Sequence, residues 1–195
     1  MPVWAWVVIG IGAVIVVAVI AWQVMSQQRS RKLREEFGPE YGRTVSSADS
    51  KREAEAELAA RKERRERLDV RPLSVEQRTR YADEWQAVQA QFVDDPAGAV
   101  TRADALIQAV MAERGYPMED FEQRAADVSV DHPRVVENYR EGHRLFEKTA
   151  AGEGTTEDLR QAMRAYRKLF DELVEEGEPE PTGEGGSRET EVARR

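Results

Sequence analysis

The chain has 195 residues, a net charge of −8 and no cysteine. Without cysteine there are no disulfides, thiol nucleophiles or cysteine metal sites. The charge is uneven: residues 26–80 hold 15 Lys/Arg against 11 Asp/Glu, whereas residues 81–195 hold 14 against 26. The distal part therefore lacks the basic footprint that nucleic acid demands.

Residues 3–25 contain no Asp, Glu, Lys or Arg. A helical apolar run of about 20 residues is long enough to cross the hydrocarbon core of a bilayer. Trp4 and Trp6 at one end and Trp22 at the other suit its two interfaces. A cleaved signal peptide is the competing reading, but it requires a basic start and a shorter apolar stretch. The expectation is a transmembrane helix over residues 1–25, with the lipid bilayer as its partner. Arg29, Arg31, Lys32 and Arg34 follow directly and no Lys or Arg precedes. The positive-inside rule then puts the N-terminus outside and the C-terminal domain in the cytoplasm. The same cations add attraction for anionic headgroups, on the order of 1 kcal/mol each near the surface.

A short helix is expected to continue to Phe37, stopped by Gly38 and Pro39. The small, polar residues 42–50 read as a flexible linker, so that residues 26–50 form a juxtamembrane segment and linker. Residues 51–68 form a charged spacer helix, with Glu57/Arg61 and Glu63/Arg67 as opposite charges four residues apart. Ala54, Leu58 and Leu68 give it only a thin apolar stripe, which suits a solvated helix or self-association as a weak coiled coil. Interleaved acidic residues argue against a nucleic-acid helix.

Pro72 marks a boundary, and a helical bundle domain is expected over residues 74–174. Ser74 and Gln77 make a capping box, and Tyr81, Trp85, Val88 and Phe92 then form one apolar face. Pro96 starts a helix with Val100, Ala103, Ile107 and Val110 on one side and Gly115 at its end. Pro117 is read as opening a shorter helix with Phe121, Ala125 and Val128 inward. Asp131, His132 and Pro133 signal another start, followed by Val136, Tyr139, His143 and Phe146. Thr155 or Thr156 caps the last helix, whose inner face holds Leu159, Met163, Tyr166, Phe170 and Leu173. No strand pattern of useful length occurs. The expected class is all-α: a transmembrane helix, a spacer helix and a small antiparallel bundle. The acidic, Gly- and Pro-containing residues 175–195 are expected to be a disordered tail.

Residues 33–41, 66–73, 92–97 and 121–127, together with Asp131, His132 and Pro133, resemble an uncharacterised family of bacterial single-pass membrane-anchored proteins with a helical soluble domain. The resemblance implies that architecture and a bacterial source, and it carries no catalytic residue or cofactor.

The residues themselves offer few chemical groups. His132 and His143 are the only histidines. On one continuous helix they would stand about 16 Å apart, too far to share a metal. Ser129, Asp131 and His132 could be written as a triad, but adjacent positions at a helix start do not give nucleophile–base–orienter geometry. No glycine-rich stretch carries the Gly-Lys-Ser/Thr ending of a phosphate loop. No enzyme active site, cofactor or metal is expected. Tyr116, in a turn beside Arg114, is either an exposed hot spot for a protein partner or a lid folded onto the bundle. A pocket near Asp131, Tyr139 and His143 is the place for a ligand, if the chain is a small-ligand sensor or enzyme rather than a membrane-tethered interaction module.

Overall fold

The computed structural model describes residues 3–175; side chains of the apolar segment are described only at Val16–Ala18, Ile20–Ala21 and from Gln23 on. Among the described residues there are seven helices and no strand: α1 (Val3–Ser47), α2 (Lys51–Glu66), α3 (Val75–Gln91), α4 (Pro96–Arg114), α5 (Phe121–Asp131), α6 (Val136–Ala150) and α7 (Thr156–Glu175). The all-α class and the bundle are thus observed. Among the described residues no helix is long and apolar enough to cross a membrane. Most side chains of the apolar segment, including Trp4, Trp6 and Trp22, lie outside the described residues, as does the tail after Glu175.

α1 is two helical arms joined at Gly38, whose φ of 45° and ψ of −119° are not helical. Gly38 tolerates that left-handed φ because it has no Cβ. Pro39, with no N–H to satisfy, begins the second arm. On a straight helix Ser30 and Tyr41 would be about 16 Å apart at 1.5 Å per residue. Both nevertheless reach the Glu55 carboxylate, Tyr41 at 2.8 Å. The second arm, residues 39–47, therefore folds back along the first. The expected stop at Gly38 is real, but the flexible linker over residues 42–50 is not: the chain is helical to Ser47 and then turns briefly into α2. Thr44 and Ser47 stabilise this arm by donating to carbonyls three or four residues back.

The charged spacer is a helix, as expected, capped by Ser50 accepting from the Glu53 amide. It is not simply solvated. Ala54 and Leu58 are fully buried, and Leu58 packs with Leu33, Phe37 and Tyr41 of α1. Two of the three stripe residues, Ala54 and Leu58, are thus covered within the chain, while Leu68 lies past the helix end and is half-buried. Periodicity misses this because two of the covering residues, Leu33 and Phe37, sit on the far side of a helix-breaking Gly-Pro.

Helices α3 to α7 enclose the main core. Trp85 of α3 stacks on Phe170 of α7 with centroids 4.5 Å apart. Ala99, Val100, Ala103, Ile107, Val110 and Met111 of α4 are buried beside Leu159, Tyr166, Leu169 and Leu173 of α7. α6 and α7 approach closely at Gly142, where an added Cβ would lie 2.6 Å from the Tyr166 ring. The Ser74–Gln77 capping box and Pro96 at the start of α4 are present. Gly115 ends α4 with a left-handed φ of 95°. The start of α5 differs from expectation: Asp120 caps it by accepting from the Gln123 amide, and Pro117 stays in the preceding loop. A side-chain acceptor for an orphan amide outweighs proline's pre-set φ.

Candidate functional site

The seam between the α1–α2 unit and the bundle gathers the most charge at the greatest depth. Glu40 starts the second arm of α1, where a helix N-terminus favours an anion. It is only 2% exposed. Arg140 of α6 grips it through two bonds of 2.8 Å, one to each carboxylate oxygen. Arg61 of α2 adds a third at 2.8 Å and also donates to the Ser129 hydroxyl of α5 at 3.3 Å. Burial pushes the Glu40 carboxyl up, but hydrogen bonding and charge from Arg140 and then Arg61 outweigh it and hold the pKa below the ordinary value of 4.5. A planar guanidinium matches a carboxylate in this two-pronged way, which an ammonium cannot do.

Two more arginines of α2 extend the seam. Arg64 donates to Asp127 at 3.0 Å and to Glu119 at 2.9 Å. Arg65 donates to Asp131 at 2.5 Å. Asp127 and Asp131 are four residues apart on α5, so one helical face meets Arg61, Arg64 and Arg65 on one face of α2. Val130 packs between them on the Leu33–Phe37–Tyr41–Leu58 cluster. At the rim, Arg43 stands 3.4 Å from Glu137.

Tyr116 is buried at 3% exposure and donates its hydroxyl to Asp131 at 2.5 Å, so it is no exposed hot spot. The folded-back alternative is the one realised, since the aromatic ring is removed from water while its hydroxyl keeps an acceptor. Asp131 belongs to the seam. His132 caps the end of α5 rather than sharing a helix with His143; its buried ring points Nδ1 toward Glu172 of α7 at 3.7 Å. The break follows from His132's carbonyl accepting the amides of Val135 and Val136, which starts a new turn. Tyr139 is fully buried and accepts from Arg124 at 3.3 Å, and burial foremost raises its pKa. His143 stacks on Phe121 with centroids 3.7 Å apart, and its Nε2 is 3.4 Å from Glu147. Ser129 donates to the Ala126 carbonyl at 2.6 Å and accepts from Arg61, so it is not aligned with His132 as a nucleophile. Arg29, Arg31 and Lys32 are exposed on the first arm of α1.

Beside the seam lies a cleft of about 540 Å³ between the second arm of α1, the start of α5 and α6. Phe121, His143, Arg43, Arg140, Arg144 and Glu147 are among its lining residues; Tyr139 is not. Its arginines are committed: Arg140 to Glu40, Arg43 to Glu137 and Arg144 to Glu141 at 2.7 Å. Among the described residues no group of three or more His, Asp or Glu side chains could hold a metal ion.

Sequence reasoning misses Glu40, Arg64 and Arg140 as seam residues and marks Arg61 only as the partner of Glu57. Glu40 and Arg140 are 100 residues apart, and nothing local marks their pairing. Arg61, Arg64 and Arg65 did carry a signal, as a basic face at helical spacing matching the acidic pair Asp127/Asp131. No family model, curated protein or solved structure matches the chain.

Proposed function

We propose that this chain is a membrane-tethered protein-interaction module. Residues 3–25 anchor it, with the N-terminus outside and the bundle in the cytoplasm. The observation that carries the reading is the buried Glu40–Arg140–Arg61 cluster. It ties the helix leading out of the apolar segment to the folded bundle. A bundle on a flexible linker would sweep a large volume, whereas a docked one is presented near the membrane in a restricted orientation. Confinement of this kind raises the effective concentration for a neighbouring membrane partner. Exposed Val16, Val17, Ile20, Val24 and Met25 on the first arm support the anchor, since such a row needs an apolar surrounding.

The test combines extraction, topology and capture. The full chain is expected to stay with membranes through alkaline carbonate washing. A single cysteine placed by Ser187→Cys is expected to react with an impermeant thiol reagent only after permeabilisation, because the chain has no other thiol. Crosslinkers on the bundle surface should then trap the same membrane protein reproducibly. Release by carbonate would overturn the anchor, labelling in intact cells the orientation, and consistent failure to trap a specific protein the module.

A second reading, a small-ligand sensor, is favoured by the cleft at His143, whose volume falls within the usual range for ligand sites. Its largely charged lining and its committed arginines count against it. A ligand that binds only the folded state raises the melting temperature. No shift across a broad metabolite panel would dismiss this reading.

A further inference from the structure

The fold-back of α1 brings together cations that are far apart in sequence. Arg29, Arg31, Lys32 and Arg34 are exposed around the first arm just after the apolar segment. Lys51 and Arg52 are exposed at the start of α2. The Glu55 carboxylate places the two groups close together: it accepts from Tyr41 at 2.8 Å, has Ser30 beside it and lies 3.5 Å from Lys51. Arg34 in turn lies over the Tyr41 ring at 5.2 Å. The end of the α1–α2 unit that holds the 47–51 turn therefore faces back toward the apolar segment, with Lys51 about 6 Å past the level of Ser30 at 1.5 Å per residue.

What sets this cluster apart is its place beside the apolar segment. Arg61, Arg64, Arg65, Arg140 and Arg144 each have a carboxylate partner. Arg29, Arg31, Lys32 and Arg52 form no ion pair among the described residues. Among the described residues Arg71, Arg102, Arg134, Arg164 and Lys168 are also exposed and form no ion pair, but they are spread along residues 71–168, whereas Arg29, Arg31, Lys32 and Arg52 share the α1–α2 unit.

We infer that this composite collar binds the phosphates of anionic lipid headgroups, with Lys51 and Arg52 acting together with Arg29, Arg31 and Lys32. The inference rests on the membrane reading above and adds the lipid class. From Met25 to Lys32 is roughly 10 Å at 1.5 Å per residue, which is headgroup depth if Met25 ends the hydrocarbon span. Cations at that depth attract an anionic surface, and the attraction fades within a Debye length. Lys51 and Arg52 gain this proximity only because the chain reverses at Gly38. On a straight α1 they would stand well beyond it.

The experiment uses the full chain with Asp49→Cys, an exposed turn position, carrying a fluorescent donor. The chain is placed in phosphatidylcholine vesicles containing a trace of acyl-tagged acceptor lipid, either phosphatidylglycerol or phosphatidylcholine. Transfer to the phosphatidylglycerol is expected to exceed transfer to the phosphatidylcholine, and the excess to disappear in high salt. The double change Lys51→Gln/Arg52→Gln should lower the preference roughly 25-fold, at about fivefold per cation near a surface. Equal transfer to both lipids from a chain that floats with the vesicles would overturn the collar while leaving the anchor standing. A full preference retained by the double variant would confine the site to the first arm and overturn the composite. Failure to float with either vesicle would remove the membrane reading and the collar with it.

Discussion

In the bundle, a buried position between α3 and α7 is filled by Trp85, 2% exposed and stacked on Phe170. At the same depth in the seam the chain places Glu40, also 2% exposed, between two guanidinium groups. The first contact is non-directional and indifferent to salt and pH. The second requires three side chains in register and one particular protonation state. Apolar burial makes the bundle a folded body. The ion cluster instead fixes where another helix sits on that body, because few partners satisfy a buried carboxylate. A buried pair adds little net stability against an apolar replacement, yet losing one partner is costly.

The largest expected effect breaks the bundle side of this comparison. Trp85→Ala should cost about 3–5 kcal/mol by removing a large buried ring and leaving a cavity. Chemical denaturation followed by circular dichroism checks it, and the loss should be the same at low and high salt. A cost near zero would mean that α3 is not integral to the core.

Glu40→Gln keeps the shape and removes the charge, leaving Arg140 and Arg61 short of their anion. A cost of about 3 kcal/mol is expected. It should be local: amide hydrogen exchange in residues 39–66 should accelerate while α4 and α7 stay protected. Uniform acceleration throughout the chain would show that seam and bundle form one cooperative unit. Gly142→Ala comes next, at about 1–3 kcal/mol, since its Cβ would lie 2.6 Å from the Tyr166 ring. Its effect should fall on α6 and α7, and a neutral result would mean that the ring yields freely.

These effects also separate what was legible in the sequence from what was not. The faces of α3, α4 and α7 could be read because each is a local pattern: a periodic apolar row bounded by a cap, a proline or a glycine. Trp85, Ile107 and Phe170 lie where the 3.6-residue period puts them. The seam was hidden because its partners are distant and polar. A charge on a helix face is ordinarily solvated, and nothing near Glu40 distinguishes it from Glu35 or Glu36. Residues 42–50 misled for a related reason: their small polar composition suits a loop, but Pro39 starts a helix there and Thr44 is buried by tertiary contact. Tyr116 left two readings open, and only the position of Asp131 decides between them.

Acid sharpens the comparison more gently. The folded-state pKa of Glu40 is held below its ordinary value of 4.5. Its contribution to stability is therefore full above that ordinary value, and is lost as pH falls through the lower folded-state pKa. The seam should loosen in that acidic window, seen as exchange in residues 39–66 corrected for intrinsic rates. With Glu40→Gln the carboxylate's share of this pH dependence should vanish. Its persistence would assign the acid response to other carboxylates.

The smallest expected effect lies at the seam's own edge. Glu137 is 65% exposed and stands 3.4 Å from Arg43 and 3.5 Å from Arg140. By distance alone it resembles a member of the cluster. Water and salt screen it, and Arg140 keeps its two bonds to Glu40 without it. Glu137→Gln should accordingly cost about 0.5 kcal/mol or less, and should respond to salt if it costs anything. Set beside Glu40→Gln, it holds the charge change and the Arg140 partner constant and varies depth. A cost approaching that of Glu40→Gln would mean that the rim pairs carry the docking too, and that depth is not what distinguishes the seam.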